Sequence, residues 1–126
     1  MTKKEFMEQK FTEHIYVVEW KENGEIHKEP ISFFPYYSPI TKETTYFESP
    51  VVIDKLEMTY DDFIAYMKDL YNEAYFEDML ELEKEYYING VYYQFDYPQC
   101  LKIISDDAEI ISAKGMSEIE YLKSIV

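Results

Sequence analysis

Apolar residues gather in short β-branched and aromatic runs toward the two ends of the chain, and in a helix-spaced stretch between them. Near the start, "TKKEFMEQKFTEH" places Phe6, Met7 and Phe11 on a modest apolar face and predicts a short helix. "HIYVVEW", residues 14–20, predicts a strand. Asn23-Gly24 follows, the strongest short hairpin signal, and predicts a return strand over residues 25–34. Pro30 cannot donate to a ladder, so that strand is expected at an edge or broken there. "PYYSPITKE", with Pro35 and Pro39, reads as a loop, and "TTYFESPVVI" as a third strand interrupted near Pro50.

Thr59 stands where a helix cap is expected, with Asp62 three residues on in a capping-box position. Asp61 and Asp62 also suit the positive end of the helix dipole. From Tyr60 to Glu85 the apolar face changes direction. With Asp69 at zero and ~100° per residue, Phe63, Ile64, Met67, Leu70, Tyr71 and Ala74 cluster between about 100° and 220°. Tyr75, Phe76, Met79, Leu80 and Leu82 cluster between about 220° and 380°. One straight helix cannot bury both faces against one core, which predicts a break between Asn72 and Phe76 and two amphipathic helices; a continuous helix between two partners is the alternative. Beyond it, Asn89-Gly90 between Tyr-rich segments predicts a second hairpin. "CLKIISDDAEIISAKG" reads as a third hairpin turning at Asp106-Asp107 and ending at Gly115, and Ser117 as the cap of a final helix, "SEIEYLKSIV". The expected fold is α+β: an antiparallel sheet of β-hairpins packed with a central acidic helical region and short terminal helices, in a single globular domain spanning residues 1–126.

Composition sharpens this reading. The chain has 126 residues, 47% apolar and 30% charged, which is a globular composition with enough length for a real core. The net charge is −14, all 12 basic residues are Lys, and Arg is absent. Lacking the forked guanidinium contact to phosphate, so acidic a chain is not expected to bind nucleic acid directly, and a basic partner suits its field better. No apolar run suits a signal peptide or a membrane span, and with a single cysteine no internal disulfide is possible, so a cytoplasmic protein is expected.

Catalytic constellations are missing. The three glycines, Gly24, Gly90 and Gly115, fall at turns or element boundaries and form no phosphate loop. His14 and His27 lie in the first hairpin, where the register pairs His27 with Trp20 and His14 with Phe33, roughly 20 Å apart at ~3.3 Å per residue. One zinc ion could not take both, and ordinary strand residues are the simpler reading. Cys100 reads as an inert thiol, Asp61-Asp62 as a capping pair and Asp106-Asp107 as turn residues. No enzyme activity, metal or cofactor is therefore expected.

The acidic stretch holds the remaining signal. From Glu57 to Glu85 there are ten acids and two lysines, a net of −8. Asp69, Glu73, Glu77, Glu81 and Glu85 recur at every fourth position, where like charges on a helix repel by ~0.2–0.5 kcal/mol per pair. Carboxylates four apart rise ~6 Å per step, close to the spacing of phosphates along a nucleic-acid strand, so such a row can imitate one. The plain alternative is a solvated face. Tyrosines concentrate nearby, and Tyr is enriched at interface anchors. Neighbouring rings on a strand point to opposite faces, so Tyr86/Tyr87 and Tyr92/Tyr93 cannot all share one side.

In size, charge and want of catalytic parts the chain resembles the small acidic inhibitors of phages and mobile elements, among them anti-CRISPR proteins and other nucleic-acid mimics; it is also similar in style to immunity proteins that neutralise nuclease toxins. That resemblance implies a non-enzymatic inhibitor docked on the basic nucleic-acid-binding surface of a nuclease or CRISPR-Cas effector. The alternatives are an immunity protein on a toxin's active site, or an accessory protein-interaction module. The expected partner-binding residues are Asp69, Glu73, Glu77, Asp78, Glu81 and Glu85 for charge, with Tyr75, Tyr87 and Tyr93 as anchors. Exposed hairpin edges also allow a homodimer.

Overall fold

A computed structural model describes residues 1–98 and 102–126. The fold is α+β, with antiparallel pairing between strands. Its elements are α1 (Lys3–Met7), β1 (Ile15–Glu22), β2 (Glu25–Tyr37), β3 (Thr44–Pro50), β4 (Val52–Glu57), α2 (Tyr60–Leu70), α3 (Glu73–Glu83), a 3-10 turn (Lys84–Tyr86), β5 (Tyr87–Ile88), β6 (Val91–Asp96), β7 (Glu109–Met116) and α4 (Glu118–Ile125). They group into two compact units, a larger one of residues 1–52 and 97–126 and a smaller one of residues 53–96.

The larger unit is built on a four-stranded sheet in the order β3-β2-β1-β7. Asn23 and Gly24 both take positive φ, 53° and 80°, which closes the β1–β2 hairpin with the twist the strands require. His27 pairs with Trp20 as the register predicts, and their rings stack at 5.2 Å. Tyr16, Val18 and Trp20 alternate along β1 and meet Ile31 and Phe33 of β2 in one core cluster, joined by Phe6 of α1 and Ile110 of β7.

Four expectations change here. The first helix ends after five residues instead of running through residue 14. Phe6 and Phe11 differ by ~140° on a helix, so burying both requires the chain to leave it. Having done so, Phe11 stacks on Phe33 at 4.2 Å. Second, β2 lies inside the sheet and runs on through Pro35 to Tyr37, yet both its prolines keep one side unpaired. Pro30 pairs only with Val17, beyond the end of the β3 ladder at Ile31, and Pro35 pairs only with Tyr46, beyond the β1 ladder. Third, the run at 44–53 is not one interrupted strand, because β3 and β4 join different sheets.

Fourth, no third hairpin forms among the described residues. β7 pairs with β1 instead, and Gly115 lies within β7 rather than ending it. A Cβ at Gly115 would stand 2.7 Å from Glu13 Cγ and 2.8 Å from Tyr16 Cε1, so this glycine permits a close approach. Residues 102–108 pack as a loop, with Ile104 fully buried. The polar backbone of Ile104 is satisfied by side chains: its N–H donates to Glu48 Oε1 at 2.9 Å, and its carbonyl accepts from Lys3 Nζ. Lys3 Nζ also reaches Glu48 Oε2 at 2.8 Å, with both side chains only 6% exposed. That buried triad takes the place of the partner strand.

In the smaller unit, β4, β6 and β5 form a second sheet in that order. Asn89 and Gly90, at φ 50° and 80°, close the β5–β6 hairpin as expected. Phe63 and Met67 of α2 and Tyr92 of β6 are the buried centre of this unit, with Phe63 and Met67 each worth ~1.5–3 kcal/mol of burial. Thr59 caps α2 by accepting from Asp62 N–H at 3.1 Å. No helix among the described residues is long and apolar enough to cross a membrane.

Candidate functional site

The helical stretch divides as the wheel requires. α2 ends at Tyr71, whose backbone is extended at φ −121° and ψ 142°, and Asn72 restarts the chain as the N-cap of α3, its Oδ1 accepting from Ala74 N–H at 3.1 Å. The break falls at Tyr71-Asn72, at the leading edge of the expected window. It lets α2 bury Phe63 and Met67 while α3 turns Phe76, Met79 and Leu80 toward the same cluster.

With that face committed inward, the other face of α3 carries charge. Glu73, Glu77, Asp78 and Glu81 are all exposed on α3, Asp69 is exposed near the end of α2, and Glu85 is exposed in the 3-10 turn. The five-acid row of the sequence is therefore one rung on α2, three successive rungs on α3 and one in the turn. Of the six predicted acids, Glu81 alone forms an ion pair among the described residues, with Lys84 at 2.8 Å. The Glu81 carboxylate, through that hydrogen bond and its charge, raises the Lys84 ammonium above its ordinary pKa. A seventh acid, Glu83, points the other way and accepts from the buried Tyr92 hydroxyl at 2.7 Å. Burial first and Glu83 second push that phenol well above its usual range.

The three predicted tyrosines differ in placement. Tyr75 stands 61% exposed on α3, three residues from Asp78, with Leu82 similarly open. Tyr87 is half-buried; its ring stacks on Phe63 at 5.0 Å and its hydroxyl donates to the Met58 carbonyl at 2.8 Å, so it serves the core of this unit. Tyr93 is half-buried, on the side of β6 opposite the buried Tyr92.

At the elbow between α2 and α3, Lys68, Tyr71, Asn72, Glu73, Phe76 and Glu77 line an open cleft of about 680 Å³. The Lys68 ammonium hangs over the Phe76 ring, 5.6 Å from its centroid. Reasoning from the sequence missed this feature, because only the break at Asn72 brings the last turn of α2 against the first turn of α3. The i, i+3 spacing of Glu73 and Phe76 after a helix cap was the available signal.

Three of the other chemical candidates have a defined setting in the fold. His27 is stacked on Trp20, Asp62 lies in the capped first turn of α2, and Asp106 pairs with Lys102 and, at 3.8 Å, with Lys3, which holds its carboxyl below the ordinary range. Cys100 lies outside the described residues. Among those residues, no cluster of three or more His, Cys, Asp or Glu could hold a metal ion. Compared with protein-family models, curated proteins and solved structures, the chain matches none of them.

Proposed function

We propose that this protein is a stoichiometric, non-enzymatic inhibitor acting in the cytoplasm. It docks the acidic face of α3 onto a basic, nucleic-acid-binding surface of another protein, the channel of a nuclease or a CRISPR-Cas effector. The observation that carries the reading is a set of six exposed carboxylates of which, among the described residues, only Glu81 is neutralised by a neighbouring lysine. A folded domain gains no stability from such a row, since like charges one turn apart repel. The row gains value when a cationic surface replaces water around it.

The spacing supports a phosphate-like role. Glu73, Glu77 and Glu81 climb α3 at ~6 Å per step. Tyr75 and Leu82, exposed on the same helix three and four residues from Asp78, supply apolar area on that flank of the helix. Charge speeds the encounter, and the apolar contacts slow release.

The test uses the partner captured from cells that carry the gene. Association is followed by stopped flow over a range of salt, for wild type and for Glu77→Lys/Glu81→Lys. The double variant is expected to associate at least about tenfold more slowly at low salt, with the two curves converging as salt rises. Equal rates for both proteins at every salt concentration would remove α3 from the interface.

A further inference from the structure

The elbow cleft deepens that reading, and the inference rests on it. We infer that the cleft between α2 and α3 receives an arginine side chain of the cationic partner, and that Lys68 occupies its place in the free protein. Three features converge there. Phe76 offers a ring face, Glu73 and Glu77 offer carboxylates one helical turn apart beside it, and the cleft is open to solvent.

Lys68 already demonstrates that a cation is accepted over this ring: its ammonium lies 5.6 Å from the Phe76 centroid. It makes no ion pair among the described residues, so Glu73 and Glu77 keep their acceptor sites free for an incoming group. A guanidinium suits the cleft better than an ammonium. It is flat enough to stack on Phe76 and forked enough to reach carboxylates at the same time, and it sheds water more readily. The chain contains no arginine of its own, so Lys68 is a weaker resident that an arginine can displace. The α3 face thus distinguishes arginine-rich from lysine-rich surfaces, which charge alone does not do.

The experiment measures the affinity of the full chain for nona-arginine and nona-lysine peptides at fixed salt, by calorimetry, for wild type and three sets of variants. Wild type is expected to prefer nona-arginine. Lys68→Met removes the resident ammonium, and should tighten nona-arginine by about two- to fivefold more than nona-lysine, the worth of an exposed cation–ring contact. Glu73→Gln and Glu77→Gln, both at exposed positions, should reduce the arginine preference. Glu81→Gln, outside the cleft, should weaken both peptides equally. Lys68→Met improving both peptides by the same factor would overturn the cleft as an arginine site while leaving the acidic face in place. Failure of both peptides to bind wild type at low salt would overturn the proposed function as well.

Discussion

Lys3, Glu48 and Ile104 show how single residues decide the larger unit. An isolated buried ion pair can often be replaced by apolar residues without loss. This one cannot, because the same two side chains also satisfy the N–H and carbonyl of Ile104. Lys3→Met is expected to destabilise the protein by ~3–5 kcal/mol in urea unfolding, since Glu48 then stays buried without its counter-charge. The double variant Lys3→Met/Glu48→Leu should not recover that loss, because both polar groups of Ile104 are left bare; full recovery would show that the triad is dispensable. In the smaller unit, Tyr92 has a different pH signature. Burial, reinforced by Glu83, raises its phenol above the ordinary value of 10.0, so the folded state holds the proton more tightly than the unfolded chain. Its contribution is intact below about pH 10 and is lost as pH rises from there through the folded value. Wild type should lose stability more steeply than Tyr92→Phe above about pH 10. Parallel pH profiles for the two proteins would refute the assignment.

At the scale of elements, the Tyr71-Asn72 break is the feature on which the acidic surface depends. It rotates α3 so that Phe76, Met79 and Leu80 face the core, which leaves Glu73, Glu77 and Glu81 outward. Asn72→Ala removes the side-chain acceptor from Ala74 N–H and should cost ~0.5–2 kcal/mol. α3 contains no fully buried residue, whereas α2 contains Phe63 and Met67. Hydrogen exchange in α3 should therefore be faster than in α2, and faster still in Asn72→Ala; equal protection of the two helices would contradict that ranking. The elements that could be read from the sequence were those with local causes. Asn23-Gly24 and Asn89-Gly90 impose turn geometry by themselves, and Thr59 and Ser117 satisfy helix ends by themselves. The ones misread depended on distant partners. Residues 102–108 look like a strand until Lys3 and Glu48 arrive to satisfy Ile104. β7 carries a one-residue bulge opposite Glu19/Trp20, which puts Ile110 and Met116 on opposite faces although their spacing is even.

Across the whole molecule, charge is distributed unevenly. Residues 53–96 hold twelve acids and three lysines, a net of −9, while the larger unit holds −5. The acids of the candidate surface were legible because charge runs and helix periodicity are properties of the sequence itself. The division of labour among the tyrosines was not, since only packing reveals that Tyr87 supports Phe63 while Tyr75 stands free in solvent. The elbow cleft was hidden for the same reason, being made by two helices meeting. The central claim is that the α3 face grips a cationic, nucleic-acid-binding protein. Its most direct measurement is parallel affinity capture, from cells that carry the gene, on wild type and on Glu77→Lys/Glu81→Lys, with bound proteins quantified by mass spectrometry. A nuclease or CRISPR-Cas effector enriched on wild type and lost from the variant is the predicted result. The same partner recovered equally on both proteins would contradict it.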